Sequence, residues 1–167
     1  EKCPMSRGDL ILTPTGRWHE HGHDGDQPVI WLDVLDLPLM YYLEVSYHLN
    51  GGRQDVKPGR GDQVYARGGL LPTPVFGRSG KRYPMLRYPW AEAKAALAHV
   101  QLTYTNPETG EDAENVLGFH ALMLRPGQTL TLPARSPACV YHAIEGRARV
   151  SAATHDFDLK EADTCCI

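Results

Sequence analysis

Between Gly8 and His23 the chain packs a short apolar run, Leu10-Ile11-Leu12, a Pro14-Thr15-Gly16 corner, and histidines at positions 19, 21 and 23. This order constrains the fold more than any other feature. Three apolar residues bounded by turn formers predict a short buried strand. The proline and glycine pin a sharp reversal. If a second strand follows, alternate residues share a face, so His19, His21 and His23 project together. Neutral imidazoles on the inner face of a β-barrel can hold a divalent metal and leave coordination positions open. The spacing by itself is compatible with a local three-histidine clamp.

Further along, Val29 to Leu32 reads as a second buried strand, which carries Asp33 at its end. A carboxylate on an apolar strand has to be paired or functional, because an unpaired buried charge is costly. Asp36 is suited to capping a turn, Trp31 to packing in a core, and His23 to a turn or surface position. Leu39 to Tyr47 is compatible with a strand or a helix. From Asn50 to Arg82 the paired glycines and scattered prolines exclude a long regular element and predict an extended connector. Gly59-Arg60-Gly61 within it lacks the flanking strand and helix that a phosphate loop needs. Pro89 to Ala98 is the best helix in the sequence, with proline in the first turn and alanine, leucine, glutamate and lysine after it. Asn106 to Gly110 predicts a turn. Leu117 to Leu124, Thr129 to Leu132, Val140 to Ile144 and Ala148 to Ala152 then read as successive strands, with turns at Arg125-Pro126-Gly127 and Glu145-Gly146.

Bulk composition narrows the function classes. The formal net charge is -3 and no basic run occurs, which argues against a nucleic-acid partner. No apolar run reaches membrane-spanning length, and the start has no signal-peptide pattern. The four cysteines show no CxxC spacing, so a zinc ribbon or redox motif is not supported, and thiols in a reducing cytoplasm are expected. In a strand, Cys165 and Cys166 would face opposite ways.

The spacing from Gly8 through Pro14-x-Gly16 to His19 resembles the second of the two cupin motifs. The run from His19 to Leu39 extends this to a resemblance with the gentisate 1,2-dioxygenase family, two-cupin iron(II) enzymes with relatives acting on salicylate and 1-hydroxy-2-naphthoate. Leu86-Arg87-Tyr88-Pro89-Trp90 is similar to the family's inter-cupin region, and Leu124 to Gly146 to the first motif of its second cupin. The final stretch from Phe157 to Ile167 resembles the start of another second motif. The chain therefore reads as the end of one cupin (residues 1–49), a connector with a helix near 90–98 (residues 50–115), and the beginning of a second cupin (residues 116–167).

The resemblance implies a mainly β fold, a partial bicupin of jelly-roll barrels with a linking helix. It implies that His19 is an iron(II) ligand, that His21 faces the substrate as a hydrogen-bond or proton-transfer partner, and that Asp33 contacts the substrate. The residues alone are equally compatible with a His21 that is solvated or supports a neighbouring ligand, and with an Asp33 in a structural ion pair. The implied reaction is dioxygen-dependent opening of a small aromatic hydroxy acid, with gentisate giving maleylpyruvate. The other two ligands, a His-x-His pair, would lie upstream of Glu1, so the chain alone is expected to be inactive. In the second cupin Pro133 and Arg135 stand where histidines would ligate, and neither can bind a metal ion, so that barrel is expected to be iron-free. His142 there is expected to be a satisfied core or surface histidine. The thiols point to a cytoplasmic protein, and incomplete barrels leave strand edges unpaired, which predicts association as a homo-oligomer.

Overall fold

The computed structural model describes residues 3–13, 16, 18–52, 87–97, 101–106, 109–134 and 138–167. Most of the expected connector, including Gly59-Arg60-Gly61, lies outside these residues, as do Pro14 and Arg135. The contacts divide the chain into two compact units, Glu1–Met123 and Leu124–Ile167.

In the first unit, strand β1 (Leu10–Ile11) pairs antiparallel with β2 (Arg87–Tyr88), with Leu10 opposite Tyr88. One carboxylate secures this pairing. Asp9 Oδ2 accepts from Arg87 Nε at 2.8 Å and from the Ser6 backbone N–H at 2.8 Å, while Oδ1 accepts from the Trp90 N–H at 2.7 Å. The last bond caps helix α2 (Trp90–Ala96) from a residue far away in sequence. Pro89 stands at the N-cap, one position before the first turn, and cannot supply the side-chain acceptor that most caps provide. Glu92 in the first turn and Lys94 in the last complement the helix dipole.

Strand β3 (Gln101–Thr103) pairs with β4 (His120–Leu122), and the ladder continues through Tyr104 N–H to Phe119 O at 3.0 Å and a bridge between Thr105 and Asp112. The turn expected at Asn106 forms, closed by Gly110 N–H to Asn106 O at 2.8 Å, with Gly110 at φ 73°. Between β1–β2 and this ladder sits a small core of Leu12, Tyr88 and Ala113, flanked by Leu10, Tyr104 and Phe119. The Tyr88 and Tyr104 rings meet edge to face at 5.5 Å, and the Tyr88 hydroxyl donates to Thr105 O at 2.8 Å. Burial, and secondarily the charge of Asp9, raises the Tyr104 phenol above its ordinary range.

Helix α1 (Leu37–Tyr42) realises the helical alternative for part of the Leu39 to Tyr47 run. Asp36 is its N-cap, but acts through its carbonyl, which accepts from Leu39 and Met40, rather than through its carboxylate. The helix ends where Glu44 adopts φ 55° and the Val45 N–H reaches back to Met40 O, a Schellman-type stop. None of its residues is buried.

In the second unit, β5 (Val140–His142) pairs with β8 (Thr164–Cys166), and β6 (Arg147–Ala152) forms a hairpin with β7 (His155–Lys160), each antiparallel. The hairpin places Val150 opposite Phe157 and Ala148 opposite Leu159 on one face, and the ion pair Arg149–Asp158 on the other. Arg125-Pro126-Gly127-Gln128 closes as a turn, with the Gln128 N–H on Arg125 O at 2.9 Å and Gly127 at φ 77°, the conformation a type II turn needs at its third residue. Cys165 is buried and Cys166 exposed, the alternation expected of a strand.

Two expected strands do not form among the described residues. Val29 to Leu32 and Thr129 to Leu132 make no ladder, and Ile30 is 95% exposed. A strand exists through its partner's hydrogen bonds, and apolar composition alone supplies none. Conversely, β2 and β3 arise within the stretch read as connector and helix.

Candidate functional site

Every candidate site residue lies on the segment from His19 to Asp33, which contains no regular secondary structure. The expectation that His19, His21 and His23 share a strand face is therefore corrected. The His19 and His21 rings are instead edge to face, with centroids 5.9 Å apart. His23 turns away and its Nε2 lies 2.7 Å from the Gln27 carbonyl, to which it donates. That hydrogen bond closes the turn, which fits the turn role read for His23.

Trp31 is not a core residue. It is exposed, and its indole meets the His21 imidazole in a tilted contact, with centroids 5.1 Å apart and planes inclined by 34°. Sequence spacing could not reveal this contact, because it depends on the bend through Gly25-Asp26-Gln27 between the two residues. Asp33 is exposed. The argument that a buried strand carboxylate must find a partner does not apply to it. Near the end of this segment, Asp36 faces Glu114, whose carboxyl is raised first by burial and then by the Asp36 charge.

The donor chemistry of His19 suits iron(II), a metal for which imidazole is a ready ligand. Among the described residues, however, no group of three or more His, Cys, Asp or Glu side chains converges on a metal position. The local three-histidine clamp is thus not formed among the described residues, and His19 presents a single exposed imidazole. In the second unit His142 Nδ1 is hydrogen-bonded to Thr164 Oγ1 at 2.9 Å, directly across the β5–β8 ladder, as a satisfied surface histidine. Pro133 is exposed in an irregular stretch.

Comparison with known proteins fits this geometry into a family. The Cupin domain model matches residues 1–35. Over 99% of its length the chain is 67% identical to a gentisate 1,2-dioxygenase of Ralstonia sp, of which it covers 50%. Along nearly its whole length the chain resembles the gentisate 1,2-dioxygenases. It spans about half the length of the curated relatives it matches. A 5-aminosalicylate 1,2-dioxygenase of Comamonas sp is 31% identical over 87% of the chain and 42% of its own length. Among solved structures, a salicylate 1,2-dioxygenase from Pseudaminobacter salicylatoxidans superposes with a TM-score of 0.67 at 24% identity, covering 98% of the chain and 52% of that structure. The fold is accordingly of the cupin type. No helix among the described residues is long and apolar enough to cross a membrane.

Proposed function

We propose that this chain serves in an iron(II)-dependent dioxygenase that opens the ring of gentisate between the carboxyl-bearing and hydroxyl-bearing carbons. Both atoms of dioxygen enter the product, maleylpyruvate. The observation that carries this reading is the 67% identity to a gentisate 1,2-dioxygenase across 99% of the chain. Salicylate is the second reading, favoured by the superposition on a salicylate 1,2-dioxygenase; 1-hydroxy-2-naphthoate is a third substrate of the same chemical kind.

In this proposal His19 holds the metal through a neutral imidazole. Iron(II), when bound, supplies a centre at which dioxygen and the substrate's carboxylate and neighbouring phenol oxygen meet. His21 faces the substrate and moves a proton at the ring's remote hydroxyl, which raises electron density in the ring. The tilted contact with Trp31 favours one orientation of the His21 ring before substrate arrives. Asp33 accepts a hydrogen bond from the substrate. The pair His21 and Asp33 thereby selects a ring with a second hydroxyl over one without.

The deciding experiment uses the whole protein loaded anaerobically with iron(II). Gentisate, salicylate and 1-hydroxy-2-naphthoate are supplied separately with dioxygen, and oxygen uptake and ring-opened product are followed. Gentisate is expected to give equimolar oxygen consumption and maleylpyruvate, with slower turnover of the other two. Turnover of salicylate ahead of gentisate would favour the second reading, and no ring opening of any of them would refute both.

A further inference from the structure

The segment that carries His19, His21 and Asp33 has no ladder to fix its direction. A contact between Trp18, just before it, and Gly51, beyond helix α1, ties it instead. Trp18, the residue before His19, lays its indole over Gly51. A Cβ built on Gly51 would fall 2.6 Å from Trp18 Cζ3, 2.8 Å from Cε3 and 3.2 Å from Cη2. Real Cβ atoms do not approach carbon that closely. Gly51 does not occupy the left-handed region, so the glycine is needed for space and not for conformation. Its neighbour Gly52 meets nothing within 4 Å, which makes the requirement specific to one position.

Trp18 is 56% exposed. It is not among the buried core residues, and its ring meets Gly51. Any side chain at position 51 displaces the indole. Because Trp18 and His19 share a peptide unit, losing this contact releases the backbone beside His19 from its tie to residue 51. We propose that Trp18 and Gly51 form a clasp that positions the His19 imidazole, Gly51 acting as a positioning residue beyond helix α1. This inference rests on the reading of His19 as an iron ligand. Groups that orient a metal-bound histidine commonly contribute 10- to 100-fold in metal affinity.

The test uses the whole protein in its metal-free form and then with iron(II) alone. In the metal-free protein the Gly51 Hα resonances lie in the shielding cone of the indole and are expected well upfield. They should return to ordinary positions in Trp18→Leu and stay upfield in Trp18→Phe. Iron(II) affinity, measured by chelator competition, is expected to fall on the order of tenfold in Gly51→Ala and in Trp18→Leu, with Trp18→Phe close to wild type. The double variant Gly51→Ala/Trp18→Leu should be no weaker than either single variant, since both remove the same contact. If Gly51→Ala folds poorly, the exposed position of Trp18 leaves Trp18→Leu to carry the measurement. His19→Ala separates the two claims. If it loses iron while Gly51→Ala and Trp18→Leu bind as tightly as wild type, the clasp alone is overturned. Unshifted Gly51 Hα resonances in the wild type overturn it as well. If His19→Ala keeps its iron, the ligand reading falls and the clasp falls with it.

Discussion

Asp9 organises more of the first unit than any other side chain. Its carboxylate is 3% exposed, and its partner Arg87 12% exposed. It binds the charge of β2, the backbone before β1 and the first N–H of α2 at once. Removing one member of a buried pair leaves the other charge unmatched. Asp9→Ala is therefore expected to destabilise the first unit by about 3 kcal/mol, read as a lowered urea midpoint. Asp9→Asn keeps an acceptor for Trp90 and should cost less. The chemistry-bearing residues differ, because they are exposed and their loss touches no core. His19→Ala should abolish iron binding and turnover while leaving the urea midpoint within about 0.5 kcal/mol of wild type. Asp33→Asn should lose turnover with iron retained. Full iron stoichiometry and a normal rate in His19→Ala would refute its assignment as ligand.

The elements show where local and distant forces divide. Helix α2 forms from alanine-rich residues of high propensity, yet its cap comes from β1. The β3–β4 ladder is held against the β1–β2 pair through the Tyr88–Tyr104 edge contact. Tyr104 gives this packing a pH signature. Its ordinary value is 10.0 and the folded value is higher, first through burial and then through Asp9. Above about pH 10 the unfolded chain has released the phenol proton while the folded chain keeps it. The unfolded state then binds fewer protons, so stability falls as pH rises through the window between the two values and levels off above the folded one. Tyr104→Phe removes the ionisable group, and its stability is expected to be flatter with pH in this alkaline window than that of wild type. Parallel curves for the two proteins from pH 9 upward would show that Tyr104 ionises freely in the fold.

For the molecule as a whole, the balance of buried and exposed apolar surface matters most. The buried core is small, and no large side chain among the described residues is fully buried. From Val29 to Leu49, by contrast, large apolar side chains face outward, with Ile30 at 95% and Tyr42 at 84% exposure. The sheets are two-stranded, so among the described residues every ladder has an outer edge without a strand partner. Exposed apolar runs and open edges both favour association. The 167-residue chain by itself is expected to sediment above its monomer mass of 18.6 kDa and to bind a hydrophobic dye; a sharp monomer boundary without dye binding would contradict this. The sequence alone determined the features that arise within a few residues: the Arg125–Gln128 and Asn106–Gly110 turns, the body of α2, the alternation of Cys165 and Cys166, and the imidazole chemistry at positions 19, 21 and 23. These follow from backbone preferences and side-chain identity, which neighbours in sequence carry. Which apolar runs become strands was decided only by tertiary structure: Val29 to Leu32 stays unpaired while Arg87–Tyr88 finds β1. So were the cap that Asp9 lends to α2, the Trp31 ring over His21 and the seat of Trp18 on Gly51. Each of these depends on a partner distant along the chain, and hydrogen-bond ladders, ring contacts and close approaches exist only once the fold has brought that partner near.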